Sequence, residues 1–474
     1  MKIPNKLSVA LAAVILFTGC NLATPAEELI SPPKLTGEQS EIYRALINSK
    51  GGGLNLKYPK SGEYRSAFVY WEDFPDAGER PLRDEEMGPP RVMVFYEVSG
   101  ISTEPTLWLT FLQKRDGRWS CVYDMPFFAT DIEKVEFSVL GDRGDANAIV
   151  SYSVLNQPEK GVSVINFTNE GMPERLIDRQ YCVYYEVNSF LDEGEKNLFI
   201  ITQDRAARES RASLIGWREG AFRFLNSVEL NPDASEFVKI TEGYIGDFAH
   251  DKTPALFLEY VKSDNSCNTG IVYKRGGKMK SVVYADDEQK REENLALLEK
   301  IPNAFTCHAV SRDIDGDGFT EAAGNVDFPG YDPAVNALNR VRAAIWYKIG
   351  GFTDLEKLYY SYLSANNDYV FIFPGRWEDK VTVAVSADSR EVTFWAYHLP
   401  EYESVYDAQY RLLSITAVVK AESVAFLETA EDGWFLYDDE SNGAYDYYVK
   451  RFDQTALVLT DDELENGFVI FTEQ

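Results

Sequence analysis

The amino-acid sequence predicts a mainly β protein: a propeller-like array of about five four-stranded blades, followed by a small α+β domain. Three observations carry this reading. Short runs rich in Val, Ile, Phe, Tyr and Trp recur along the chain, as strands require. Two kinds of turn separate the runs, one acidic and one built on glycine. The two kinds keep nearly the same distance from each other, which marks a repeated unit.

The acidic turn stands between apolar runs as VLGDRGDANAIV from Val139, FLDEGEKNLFII from Phe190, YIGDFAHDKTPALFL from Tyr244 and VSRDIDGDGFTEAA from Val310. The glycine turn follows as FTNEGM from Phe167, WREGAF from Trp217, YKRGGK from Tyr273 and WYKIGGF from Trp346. Asp142 to Gly171 is 29 residues, Asp192 to Gly220 is 28 and Asp247 to Gly276 is 29. The fourth unit is longer, 37 residues from Asp313 to Gly350. A further hairpin, QKRDGRW from Gln113, implies an earlier unit whose acidic turn lies between Trp71 and Pro90. Each unit then reads strand, acidic turn, strand, long loop, strand, glycine hairpin, strand. A lone sheet of this kind cannot bury both faces, so the units are expected to stack.

One acidic turn carries a full ligand pattern. Asp313, Asp315, Asp317 and Glu321 place side-chain oxygens at loop positions 1, 3, 5 and 9, and the carbonyl of Phe319 supplies position 7. Calcium takes six to eight oxygens at about 2.3 to 2.6 Å. Alternating aspartates can turn inward together, and Gly316 and Gly318 permit the tight backbone path. An EF-hand would need a bidentate Glu at position 12, where Gly324 stands. We therefore expect one structural Ca2+ in a short loop, the alternative being an unmetallated acidic turn. The other copies lack the set. Asp247 and Asp251 are followed or spaced by Phe248, Ala249 and Ala255, and Asp142/Asp145 and Asp192/Glu193/Glu195 sit on shorter loops.

The acidic-turn repeat resembles the FG-GAP/VCBS repeat of integrin-type propellers. It is also similar to the lipid-anchored VCBS-repeat proteins of clostridia-like Gram-positive bacteria, over roughly residues 40 to 365.

The flanks read differently. Residues 1–19 have the form of a secretory leader: Lys2 and Lys6, then an apolar run from Leu7 to Phe17 broken by Ser8. The run is shorter than the about 20 residues that span a bilayer. Phe17-Thr18-Gly19-Cys20 resembles the lipobox of bacterial lipoproteins, with Phe17 where Leu is commoner. That resemblance implies a diacylglyceryl group on the thiol of Cys20 and cleavage before it. Residues 20–35, with Pro25, Pro32 and Pro33, would form a tether from the cell membrane on its extracytoplasmic face. Thr36 and Gln39 form a capping box for a short helix carrying Ile42, Ala45 and Leu46 on one face. Residues 36–365 thus hold this helix and the repeats. From 366 to 474 the repeat signature stops, and strands with a helix-like segment from about Ala444 to Phe452 point to a separate α+β domain, the alternative being one or two more blades.

Composition narrows the function. With 45% hydrophobic and 14% aromatic residues the chain can bury a core. Its net charge of −29 becomes −31 when Lys2 and Lys6 leave with the leader, which excludes nucleic acid as a partner through the general field. Cys121, Cys182, Cys267 and Cys307 show no CxxC spacing; they allow two disulfides in three connectivities, or buried free thiols. His250, His308 and His398 are far apart, and no HExxH, GxSxG or GxxxxGK[ST] motif is present, so no catalytic residue is assigned. Tyr359, Tyr360 and Tyr362 suit strand packing or, alternatively, stacking on sugars. The expectation is a membrane-anchored binding or interaction scaffold with an envelope protein or glycan as partner. The alternatives are an envelope sensor or assembly factor for another exported protein, and a polysaccharide-active enzyme.

Overall fold

A computed structural model describes residues 35–71, 89–98, 107–140, 146–157, 160–167, 172–181, 183–188, 190, 196–204, 206–207, 209–246, 251–281, 289, 292, 296, 301, 309–330, 341–350, 354–397, 408–430, 433–437, 444–452 and 457–471. Cys20 and the leader, Cys182, Cys307, the three histidines and the acidic turns at 141–145, 191–195 and 247–250 lie outside them. The described residues fall into two compact units, one holding those up to Val135 with 172–173, the other the rest.

In the first unit, α1 (Gly37–Lys50) starts at the expected capping box. The Thr36 hydroxyl accepts from the Gln39 N–H at 3.3 Å, and the Gln39 side chain accepts from the Thr36 N–H at 3.2 Å. Ile42 and Leu46 are fully buried and pack on one antiparallel sheet. Its order is β1 (Leu54–Leu56), β3 (Arg91–Val98), β4 (Leu107–Arg115), β5 (Arg118–Phe127). The short β2 (Phe68–Tyr70) shares with β1 the free edge of β3, pairing with Val92 to Val94 while β1 pairs with Tyr96 to Val98. The outer position of this sheet is thus split, so the first repeat is its least regular copy.

The later sheets follow the expected strand plan. Three have four strands each in chain order. They are β6 (Asp131–Ser138), β7 (Asn147–Ser153), β8 (Lys160–Asn166) and β9 (Glu174–Tyr181); β10 (Val183–Asn188), β11 (Lys196–Asp204), β12 (Glu209–Arg218) and β13 (Ala221–Glu229); and β14 (Ala234–Gly246), β15 (Lys252–Lys262), β16 (Cys267–Arg275) and β17 (Lys278–Ser281). The glycine hairpins between strands three and four are two-residue turns. Asp116 and Gly117, Glu219 and Gly220, and Gly276 and Gly277 all have φ between +50° and +80°. Two left-handed residues in a row make the turn whose twist matches the strands.

Sheets two to five pack serially, and one strand shows how. In β11, Leu198 and Ile200 lie in a core with Val162, Val164 and Ile177 of the preceding sheet. Phe199 and Ile201, on the opposite face, lie with Leu256, Leu258 and Val272 of the next. In β15 the alternation repeats: Leu256 and Leu258 face back, Ala255 and Phe257 face forward to Ala343 and Ile345. Central strands are therefore apolar on both faces, as strands between two neighbours must be. The last strands are not; β13 is mostly exposed or half-buried. The organisation is propeller-like: blade-like antiparallel sheets, packed in series from the second to the fifth.

The fifth sheet holds β18 (Ala322–Asp327), β19 (Arg342–Gly350), β20 (Asp354–Ser364) and β21 (Tyr369–Ile372). The sixth runs β22 (Val381–Val385), β23 (Glu391–Ala396), β24 (Arg411–Val419), then β26 (Tyr445–Arg451), with β25 (Phe435–Tyr437) at its edge; β26 is the stretch expected to be helical, and pairing with β24 along its length makes it a strand. The sheet is joined by the short helices α2 (Ser423–Thr429) and α3 (Asp461–Gly467). β27 (Phe468–Ile470) then returns to pair with β21. The boundary expected at 365/366 falls between the paired strands β20 and β21. Tyr360 and Tyr362 before it, and Phe371, Trp377, Phe394 and Tyr447 after it, belong to one cluster. Of the cysteines, Cys121 is free and Cys267 is disulfide-bonded to a partner outside the described residues. Among the described residues, no helix is long and apolar enough to cross a membrane.

Candidate metal centre

The acidic loop at 313–321 joins a short bridging strand to β18. Arg312 and Glu321 exchange backbone hydrogen bonds at 3.1 and 2.9 Å and close its base. Ile314 turns inward and is 1% exposed, packed with Ala323, Ala344 and Trp346. Because Ile314 points into the core, its neighbours Asp313 and Asp315 must point out. Asp317 joins them across Gly316 (φ +74°) and Gly318 (φ +82°), whose backbone only glycine adopts without strain. The outcome is a cluster: carboxylate oxygens of Asp313, Asp315 and Asp317 all lie within 4.8 Å of one another, on exposed residues.

The loop's own N–H groups hold these carboxylates. Asp313 accepts from Gly316 at 2.7 Å and Gly318 at 2.8 Å. Asp315 accepts from Asp317 at 3.1 Å and Asp317 from Phe319 at 2.8 Å. Asp315 also accepts from the Tyr359 hydroxyl of β20 at 2.8 Å. Burial, followed by this bond, pushes the Tyr359 phenol up to about 12. Burial works to raise the Asp317 carboxyl, but hydrogen bonds from Lys348 and the Phe319 N–H leave it lowered overall.

Glu321, also expected as a ligand, is fully buried and is not one of the three whose oxygens lie within 4.8 Å of one another. One of its oxygens accepts the Ile314 N–H at 3.0 Å; the other, Oε1, is buried with no hydrogen-bond partner. Burial pushes its carboxyl up to about 7, opposed by the Ile314 N–H and reinforced by the three aspartates. A buried acceptor without a partner is costly, and a carboxylate that feels three others is more so. A divalent cation would relieve both, so this donor set of hard oxygens fits calcium.

Two cations and a ring that sequence reading missed surround the loop. The Phe319 ring lies between Lys348 of β19, 4.5 Å from its centroid, and Lys252 of β15, at 5.5 Å. Lys348 also pairs with Asp317. The Thr320 N–H donates to the Tyr244 carbonyl of β14 at 2.8 Å, and a Cβ on Gly243 would stand 2.0 Å from the Thr320 hydroxyl. The loop thus ties the fourth sheet to the fifth. Further in, the buried Glu259 of β15 accepts from the Thr269 hydroxyl at 2.7 Å and the Ser311 N–H at 2.8 Å. Nothing local to these residues in sequence announces these contacts, which join strands far apart in the chain. Tyr360 and Tyr362 are core residues, 5% and 4% exposed.

No family model and no curated protein matches the chain. Among solved structures it is similar to AofleA from Arthrobotrys oligospora, at 13% identity over 56% of this chain and 68% of that one, with a TM-score of 0.25. It is also similar to an exo-β-1,3-galactanase from Phanerochaete chrysosporium (6%, 80% and 81%, 0.22) and to one from Clostridium thermocellum (9%, 88% and 99%, 0.24). These likenesses are too distant to bear on activity.

Proposed function

We propose that this protein is a membrane-anchored extracytoplasmic lipoprotein, held by lipid on Cys20, that works as a binding or interaction scaffold and carries one structural calcium ion. The observation that carries the calcium is the convergence of Asp313, Asp315 and Asp317, with the unpartnered buried oxygen of Glu321 at the end of the same loop. The FG-GAP/VCBS-like pattern of the loop and the leader's lipobox support the rest. Asp313, Asp315, Asp317, the Phe319 carbonyl and Glu321 would hold the ion. Bound there, it would supply positive charge where two sheets meet, and so stiffen the array; Lys348 and Tyr359 orient Asp317 and Asp315.

Extracellular calcium modules bind with Kd of about 10⁻⁴ to 10⁻³ M. At millimolar calcium this stabilises the fold by about 0.4 to 1.4 kcal/mol. The test is thermal melting of the full chain with calcium and with chelator, beside calcorimetric titration of the metal. A rise in Tm with calcium, lost in Asp315→Asn, supports the reading; no bound calcium and no shift sinks it. Labelling cells with a fatty-acid analogue, for wild type and Cys20→Ser, tests the anchor separately.

A further inference from the structure

A second concentration of charge lies in other sheets and has the opposite sign. Between β9 and β13, the last strands of the second and third sheets, is a pocket of about 170 Å³. Arg175, Arg179 and Arg223 line it, with Asp178 as its one acidic residue. The chain as a whole has 76 acidic residues against 47 Lys and Arg, so the pocket reverses the general balance.

Asp178 is already occupied. It accepts from the Tyr152 hydroxyl, from Ser163 at 3.0 Å and from Arg175 at 3.1 Å. Tyr152 reaches it by lying across Gly161, where a Cβ would stand 2.1 Å from the ring. The other two guanidinium groups are less committed. Arg223 pairs with Glu219 at 3.1 Å on an exposed turn, and such surface pairs are weak. Arg179 donates to the Asp178 carbonyl at 2.8 Å, lies 5.4 Å from the Phe224 ring centroid, and meets no carboxylate among the described residues. The remaining wall is apolar. Phe222 is set edge-on against Trp217, with centroids 5.4 Å apart, and Phe224 is 54% exposed.

We propose that this pocket binds a carboxylate carried on a six-membered ring. The planar fork of a guanidinium matches the two oxygens of a carboxylate, and Arg179, laid over the Phe224 ring, offers such a fork, with Arg175 beside it on β9. Phe222 and Phe224 cover the flat apolar face of the ring. The pocket is smaller than the roughly 300 to 1,000 Å³ typical of ligand sites, which limits the occupant to about one ring. Aromatic carboxylates and uronic acids share this chemistry.

The experiment is calorimetric titration of the full chain at low salt with benzoate and with glucuronate. Benzyl alcohol and glucose serve as neutral counterparts, and inorganic phosphate as a bare anion. At least one carboxylate should bind saturably, and its neutral counterpart about tenfold more weakly or less. Arg179→Gln should weaken binding by a similar factor with Tm unchanged; Arg179→Lys, which keeps the charge and loses the planar fork, is the second variant should the first fail to fold. Preference for benzoate identifies the aromatic source, preference for glucuronate the sugar. The proposal is overturned if neither carboxylate binds, if both arginine variants bind as wild type does, or if phosphate binds as tightly as the carboxylates.

Discussion

The acidic loop at 313–321 and the arginine pocket between β9 and β13 hold charge in different ways. In the loop the charged groups are two residues apart in sequence, gripped by neighbouring N–H groups and rooted in the core by Ile314. In the pocket they stand on one outer strand and meet the aromatic rings of another, Arg179 of β9 lying over the exposed Phe224 of β13, 45 residues further on. A charge cluster rooted in a core couples its ligand to folding. A cluster laid on outer strands can exchange its ligand with little effect on the fold.

Substitutions test this contrast. The largest effect should come from Ile314→Ala, which removes a buried anchor under the aspartates; a loss of about 2 to 5 kcal/mol is expected in denaturant unfolding. A cost under about 1 kcal/mol would mean the loop is not rooted as described. Next, Glu321→Gln should abolish the stabilisation by calcium, about 0.4 to 1.4 kcal/mol in the wild type, and with it the rise in Tm. Because it also removes a buried carboxylate, the metal-free variant should be no less stable than the metal-free wild type.

A charge pair outside both sites calibrates the comparison. Arg376 holds the Glu463 carboxyl down to about 2, with the Thr460 N–H assisting and burial opposing. A carboxylate whose folded value is depressed stabilises the fold above its unfolded value of about 4.3, and that contribution disappears as pH falls toward 2. The Tm difference between wild type and Glu463→Gln should therefore be greatest above pH 5 and close near pH 2; a difference constant across that range would refute it. The smallest effect belongs to Phe224→Ala, expected within about 0.5 kcal/mol of wild type. A loss comparable to that of Ile314→Ala would show the pocket to be part of the core.

Legibility in sequence follows the same division. The hairpins could be read because a two-residue turn writes its requirement locally, as Asp116-Gly117 and Gly276-Gly277 do. The capping box at Thr36 and Gln39 is equally local. The aspartates of the loop could be read because alternate residues on a tight turn share a side. Lys252, Lys348 and Tyr359 could not, since each reaches the loop from a different strand and its own neighbours say nothing of that. The return of β27 to β21 was hidden for a similar reason. A three-residue strand has too little pattern to name its partner, and the partner lies about a hundred residues earlier.

That return has a consequence for how the molecule comes together. The chain emerges N-terminus first, so β21 can take its place beside β20 while β27 is still to come. During that interval one row of backbone N–H and C=O groups on β21 has no covering strand, and such rows recruit whatever extended segment is nearest. The final residues of the fold thus act as a stopper for the fifth sheet, and a chain arrested before residue 468 would leave a template for pairing with its own kind.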